Sequence, residues 1–364
     1  MLTFEKSPTT VERPPSSPAL TPPASRLQRW VWRLSIGNLL LAAGVWVLIR
    51  FVSERWWLST AVVYLPRSPL LVPSLLLALV SLLVARKAVL LNLAAGLLIA
   101  GPVMGASLNL SPVEEAAIDK SRSRAMRVLS CNVQSFLPDF PLELTEIAAA
   151  RPDLVAFQEA FGESQELVRY FDGWTTIREN EYFVAARHPL RLLATCQSEP
   201  FDRIAAIAVE VAAPRGKFLV FNVHQTTARH GLTNLTADSL ISGAGIAQVE
   251  RHIQQREEEA LAVRAFIEQN RGDMPVLIVG DFNMPDDSSI YQACWGDLQN
   301  AFQQVGTGYG YTAPCQTKCR WPTGFPWARV DHILTDDHWK IHRCRIGEKD
   351  GSDHRLITAI VELR

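Results

Sequence analysis

Apolar residues fall along this chain in two unlike patterns, and the change comes near residue 110. Before it, three nearly unbroken apolar stretches run over residues 34–52, 65–85 and 88–105. Each approaches the ~20 residues that a helix needs to cross about 30 Å of hydrocarbon. The run Leu75-Leu76-Leu77-Ala78-Leu79-Val80-Ser81-Leu82-Leu83-Val84 leaves no polar face for water, as a surface helix of a soluble core would require. Trp30, Trp32, Trp56 and Trp57 flank the first stretch, where interfacial aromatics are expected. Residues 1–25, with Pro8, Pro14, Pro15, Pro18, Pro22 and Pro23 among Ser and Thr, cannot build a core and are expected to be a disordered tail. Three runs behind a long polar lead differ from a cleavable signal peptide, which has one short apolar region and a small-residue cleavage site.

Charge then orients the stretches. Arg26, Arg29 and Arg33 precede the first, and Arg86-Lys87 link the second to the third, so both clusters are expected on the cytoplasmic side. Three crossings put the rest of the chain outside the cytoplasm, although Arg50, Arg55 and Arg67 in the first loop count against this. The expected organisation is a tail (1–25), a multi-pass anchor of about three helices in a bacterial inner or plasma membrane (26–106), a linker (107–126) and a folded domain (127–364).

Beyond residue 127 the pattern shortens. Strand-like runs alternate with helical stretches near 142–150, 163–171 and 247–270, the last with Val249, Ile253, Ala260 and Leu261 at near-helical spacing, and this predicts an α/β or α+β domain. At or next to the end of successive runs stands a polar residue able to do chemistry. Asn132 closes Val128-Leu129-Ser130-Cys131, Glu159 closes Asp153-Leu154-Val155-Ala156-Phe157-Gln158, and His224 follows Phe218-Leu219-Val220-Phe221-Asn222-Val223. Asp281 and Asn283 follow Val276-Leu277-Ile278-Val279-Gly280, Asp331 opens Asp331-His332-Ile333-Leu334, and Ser352-Asp353-His354 complete the series. Strand alternation puts Asp281 and Asn283 on one face with Phe282 opposite, and groups Val155, Phe157 and Glu159 likewise. Carboxylates and amides gathered at strand ends are hard oxygen donors, suited to Mg²⁺ or Mn²⁺ rather than zinc. Hydrolysis of a phosphate ester needs a polarised phosphoryl group, an activated water and stabilised developing charge, and this inventory can meet all three. Each motif alone has a plain reading as an Asx turn or an ordinary loop; six in order do not.

These motifs resemble the endonuclease/exonuclease/phosphatase superfamily, whose fold is shared with pancreatic deoxyribonuclease and sphingomyelinases, from about Arg127 to Arg364. The resemblance implies a four-layer α/β sandwich with two mixed sheets flanked by helices. It also implies Glu159, Asn132 and Asp353 as metal ligands for Mg²⁺ or Mn²⁺, with His354, Asp281, Asn283, His224 and Asp331 catalytic. Asp331 is expected to hold the His354 ring, and Arg203 is a candidate phosphate contact or an equally plain structural residue. Three helical spans ahead of such a domain look like the bacterial glycopeptide-resistance-associated phosphatases, whose implied substrate is an undecaprenyl pyrophosphate-type lipid.

Composition refines this reading. A net charge of −1 lacks the basic footprint of a nucleic-acid binder, so an anchored nuclease is the second reading, beside a sphingomyelinase-like phosphodiesterase and a catalytically silent binding module. The expected partners are therefore the bilayer and a lipid phosphate. Cys315 and Cys319 share a Pro-, Gly- and Trp-rich loop and admit three readings: free thiols, half a metal site, or disulfide partners among Cys294, Cys315, Cys319 and Cys344. The long connection 226–245 carries Leu232, Leu235, Leu240 and Ile241 between glycines, and fits either a binding loop at the site or leucines packed on the body.

Overall fold

A computed structural model describes residues 25–109, 125–136, 140–162, 164–315, 325–348 and 351–364. The tail, Ser25 apart, most of the linker and Cys319 lie outside them, and so does the pairing considered for Cys319. Cys294 and Cys344 are buried free thiols in separate apolar clusters.

The front of the chain is inside out. The first helix runs Arg26–Val47, opened by a capping box in which Ser25 Oγ accepts from Gln28 N (3.1 Å) and Gln28 Oε1 accepts from Ser25 N (2.9 Å). It continues to Arg55, and Arg86–Val103 forms a second helix long and apolar enough to cross a membrane. The stretch expected as a span over 65–85 is a helix over Ser68–Val84; it meets the same test only together with Trp57–Tyr64, from which it turns by 95°. Leu40, Leu41, Leu75, Leu79, Leu83, Leu90 and Leu97 face outward, Leu83 at 89% exposure. Ser35, Asn38, Ser74, Ser81 and Asn92 are buried between the helices instead. Asn92 Nδ2 donates to Ser35 Oγ (2.8 Å), Ser81 Oγ (3.2 Å) and Ala88 O (3.1 Å), while Asn38 Nδ2 donates to Asn92 Oδ1 (3.2 Å) and Ser74 Oγ (3.0 Å). Polar groups inside and leucines outside is the packing helices adopt when the surrounding solvent is apolar.

The domain behind it has two six-stranded sheets. One orders Gln299–Asn300, Asp331–Thr335, Val276–Asp281, Gly216–His224, Arg203–Ala213 and Leu190–Ser198; the other orders Trp339–Ile346, Ile357–Leu363, Ala125–Asn132, Leu154–Gln158, Tyr182–Ala186 and Thr175–Glu179. Both are mixed, with one parallel pair each. Their facing sides bury Val128, Leu154 and Ala359 against Val220, Leu277 and Ile333. The outer side of the first sheet is covered by Ala260, Val263, Phe266 and Ile267 of the helix Ala244–Arg271, and that of the second by Phe140 and Ile147 of the helix Phe140–Ala150. Helix, sheet, sheet and helix make the expected four layers. At ~25 cal/mol per Å² of apolar surface removed from water, these three interfaces are the main stabilising term of the domain.

Strand register delivers the polar residues to one rim. Asp281 lies level with His224 on one neighbouring strand and with Asp331 on the other. Gly280, at φ +145, must be glycine, because a Cβ there would stand 1.9 Å from Val223 O. The Ser107–Leu108 strand pairs with Thr307–Gly308, tying the end of the apolar helices to this domain.

Candidate active site

Asp281 is the centre of the site and has no exposed surface. Its Oδ1 accepts from Asn283 N (2.8 Å), and its Oδ2 accepts from Asn283 Nδ2 (2.9 Å) and Asn132 Nδ2 (3.2 Å). The same Oδ2 lies 3.6 Å from His354 Nε2 and 3.7 Å from His224 Nε2. Asn132 belongs to the opposite sheet and also donates to Glu159 Oε1 (2.9 Å), so one amide joins two carboxylates across the sandwich. His354 Nδ1 stands 2.9 Å from Asp331 Oδ2, as expected for a carboxylate that orients an imidazole.

One placement, Glu159, corrects the strand-alternation expectation, and another, Asn283, meets it through a turn. The strands end at Gln158 and Asp281, and both Glu159 and Asn283 take left-handed backbones with φ +51. Val155 and Phe157 point into the helix-covered face, so continued alternation would bury Glu159 among them. The reversal turns it to the rim instead, where its side chain is 34% exposed. Asn283 likewise returns onto Asp281 through a turn, while Phe282 packs into the core.

Further residues surround the site. Glu181 closes on His224 Nδ1 at 3.3 Å and pairs with Arg203. Arg203 Nη2 is 2.9 Å from His224 Nδ1, and its other donors face Thr226 and Glu259, so its guanidinium is engaged behind the histidine. Ser352 Oγ donates to Asn132 O (2.7 Å), anchoring the Asp353-His354 loop to the strand that carries Asn132. His332, beside Asp331 in sequence, is sealed in the core with Asn300 and Met284. Gln158 donates to Asn222 Oδ1 (2.6 Å) between the sheets and supports the rim from below. Of these, Gln158 and Asn222 stand out in the sequence as polar residues inside apolar runs, whereas Glu181 does not.

Crowded charge shifts the titrations. Burial pushes the Asp281 carboxyl up to about 6, opposed by the His354 and His224 imidazoles and assisted by Asp331. Burial lowers His354, but Asp331 and Asp281 outweigh it and hold the imidazole well above its ordinary range. His224 is likewise raised, burial being overcome by Glu181 and then Asp281. Asp353 is raised by burial, countered by His354 and reinforced by the nearby Glu159 charge.

The donor set is carboxylate, amide and imidazole; Cys131 turns away to donate to Glu143 Oε1 (2.7 Å). Hard oxygen donors around a surplus of negative charge fit a divalent cation of the Mg²⁺ class. Asp281, Asp331 and His354 bring ligand atoms within 4.8 Å of one another, yet His354 already bridges those two carboxylates. Beside this cluster stand Glu159, whose side chain is 34% exposed and accepts from Asn132 Nδ2, and Asp353, whose carboxyl feels the Glu159 charge.

Among known proteins, the model of the Endonuclease/Exonuclease/phosphatase family matches residues 129–354, well over half of the chain. The chain belongs to that family. As a member of the endonuclease/exonuclease/phosphatase family it is a hydrolase of phosphoester bonds, of a kind generally dependent on a divalent metal. No curated protein matches it. Similar solved structures include an endonuclease/exonuclease/phosphatase from Beutenbergia cavernae (16% identity, 66% of this chain and 72% of that one, TM-score 0.44). A 3′ phosphatase from Neisseria bound to a product DNA hairpin is 19% identical over 66% of this chain and 99% of its own, with TM-score 0.47. A mannosyl-6-phosphatase from Bacteroides thetaiotaomicron is 15% identical over 65% and 99%, with TM-score 0.46.

The clasp on His354 makes a signed prediction. Because Asp331 raises the imidazole, Asp331→Asn should let its pKa fall, so the alkaline limb of kcat/KM moves to lower pH while metal affinity stays near wild type. A pH profile of hydrolysis with a parallel metal titration measures both; matching losses of metal binding would make Asp331 a ligand.

Proposed function

We propose that this protein is a membrane-anchored phosphatase or pyrophosphatase of a lipid substrate, of the undecaprenyl pyrophosphate type, acting outside the cytoplasm with Mg²⁺ or Mn²⁺. The observation that carries the hydrolytic part is the convergence of Asn132, His224, Asn283 and His354 on one buried carboxylate, Asp281.

A bound cation, held by Glu159, Asn132 and Asp353, would polarise the phosphoryl oxygens. The protein's own residues do the rest. Asp281, raised by burial, is poised near neutrality to orient water and take its proton. His354, kept cationic by Asp331, faces the phosphate as a donor, and His224 provides a second one braced by Glu181 and Arg203. Asn283 spends its amide on Asp281 and on Gln225 O (2.8 Å), fixing the carboxylate against rotation. Arg203 is assigned to holding His224 rather than to phosphate contact.

The lipid part is supported by the inside-out helices and by the 226–245 connection. That connection is two short helices, Arg229–Leu232 and Ala237–Ile241, and Arg229 is near enough to lower Asp353. Leu240 and Ile241 are exposed beyond it, Ile241 at 87%, whereas Leu235 is half-buried. Exposed leucine and isoleucine beside a polar site are costly in water and favourable against acyl chains. For orientation, Gln28 Nε2 donates to Val84 O (3.1 Å), so Arg26, Arg29, Arg33, Arg86 and Lys87 share one end of the helices. The opposite end meets the catalytic domain, and Arg67 there is paired with Asp287, which removes it from the positive-inside count. A nuclease reading has no comparable support, since net charge is −1.

Three outcomes are expected, the first two of the full-length protein in detergent. With Mg²⁺ and a panel of long- and short-chain pyrophosphates, sphingomyelin and DNA, Glu159→Ala, Asp281→Ala and His354→Ala should each lose about 10³-fold or more in kcat, and double variants little beyond that. Full turnover by Glu159→Ala in chelator would end the metal assignment. Changing Leu240 and Ile241 together to Ser should raise KM for a long-chain lipid pyrophosphate several-fold and spare a short-chain one; equal effects on both would make the pair ordinary packing. In cells, a reporter fused after Arg364 should be active only if it works outside the cytoplasm, and a cytoplasmic signal would reverse the orientation.

A further inference from the structure

Arg256 lies in the middle of the helix Ala244–Arg271, flanked by Gln254, Gln255, Glu257 and Glu258, where sequence alone suggests a solvent-facing charge. It is instead 1% exposed and uses every guanidinium nitrogen. Nε donates to Thr226 O (2.8 Å) and Nη2 to Asn283 O (2.9 Å). Nη1 donates to Tyr64 Oη (2.8 Å) and to Glu54 Oε1 (3.3 Å). Two of these acceptors are backbone carbonyls of the active-site rim. The other two are Glu54, at the end of the first apolar helix, and Tyr64, in the helix Trp57–Tyr64 that follows it.

Glu54 is itself 3% exposed. Its Oε1 accepts from Tyr64 Oη, while its Oε2 accepts from Ser288 Oγ, from Ser289 Oγ (3.1 Å) and from Ile290 N (3.1 Å), at the start of the helix Ser289–Trp295. The turn after Asp281 is therefore held by Glu54 at both ends, through Arg256 at Asn283 and directly at Ser288. Thr226 is clamped in the same way: Arg256 takes its carbonyl, and Glu259 takes its N–H (2.7 Å) and hydroxyl (3.1 Å) one turn later on the same helix. Gln225, just before it, donates its N–H to Asp281 O (2.9 Å) and accepts the Asn283 amide.

A buried guanidinium deprived of its paired carboxylate is strongly unfavourable, and Glu54 is the carboxylate that Arg256 is bonded to, so losing the Glu54 charge weakens the hold on Arg256 in this position. We propose that Glu54 is a positioning residue of the active site: acting through Arg256, it fixes the Asn283 and Thr226 carbonyls, so that hydrolysis depends on the juxtamembrane segment as well as on the catalytic domain. The anchor is then part of the catalytic framework, and its contribution goes beyond bringing the enzyme to a lipid. This rests on the phosphoesterase activity but not on the choice of lipid.

The test uses the full-length protein in detergent with Mg²⁺ and a soluble phosphoester, para-nitrophenyl phosphate or its bis ester, so that access to a bilayer plays no part. Glu54→Gln keeps the shape and removes the charge opposite Arg256. Displacement of catalytic groups by an ångström costs on the order of 10²-fold, so kcat should fall by about tenfold to a hundredfold with KM within about twofold. Tyr311→Phe is the control, because it cuts a different contact between anchor and domain, Tyr311 Oη to Met104 O (2.7 Å), without touching the Asn283 turn. It should keep kcat within about twofold. Wild-type kcat in Glu54→Gln, an equal loss in Tyr311→Phe, or a loss that merely tracks the fraction of folded protein would overturn the proposal. Should Glu54→Gln not fold, Glu54→Asp, which shortens the carboxylate's reach to Arg256 Nη1 and to Tyr64 Oη, takes its place; a several-fold drop in kcat supports the relay and an unchanged kcat overturns it. Absence of turnover by the wild-type protein on every phosphoester would be distinct, overturning the phosphoesterase reading and this inference together.

Discussion

A carboxylate with no exposed surface has to be surrounded by donors, and Asp281 shows what that demands of a whole fold. Its partners are Asn132 from the opposite sheet, His224 from the parallel neighbour strand, His354 from the loop before the last strand, and Asn283 from its own turn. A buried acceptor left unpaired costs about 1–3 kcal/mol, and a charged one more. The sandwich must therefore close to within hydrogen-bonding distance at this rim, and the stacking of Val128, Leu154 and Ala359 on Val220, Leu277 and Ile333 sets the sheet separation that allows it. The same crowding that makes the site costly to assemble also makes it reactive. It raises the Asp281 carboxyl toward neutrality and holds the His354 imidazole above its ordinary range, two groups shifted by the same surroundings.

The second part of the molecule obeys the reverse solvent rule. Asn38, Asn92 and three serines bond to one another between helices whose leucines face outward, a pattern that would be unstable in water and suits a bilayer. The two regimes meet at buried charge. Arg67 with Asp287, and Glu54 with Arg256, lie where the apolar helices end and the catalytic turns begin, and each pair ties one regime to the other. Buried ion pairs add little net stability but are costly to break singly, so they act here as fixed points of register between the apolar helices and the domain.

Local chemistry made the ends of the apolar runs legible from residue order alone. Periodicity separated the apolar helices from the α/β domain, and polar residues closing strands marked Asn132, Glu159, His224, Asp281, Asn283, Asp331, Asp353 and His354, all of which the fold gathers about one rim. Strand alternation failed at Glu159, because one left-handed residue reverses the direction that a period of two predicts, and no run of neighbours encodes that reversal. Glu181, Arg256, Glu259 and Glu54 were illegible for a different reason: a charged residue on a helix or in a loop reads as a solvated surface unless its partner is known. Those partners lie far away in the chain, 202 positions apart for Glu54 and Arg256, and are brought together only when the layers pack. The sequence by itself thus determined which residues could do the chemistry, since strand ends and hard donors are local features. Only the tertiary structure decided what holds them, because the burial of a charge depends on every element that closes over it.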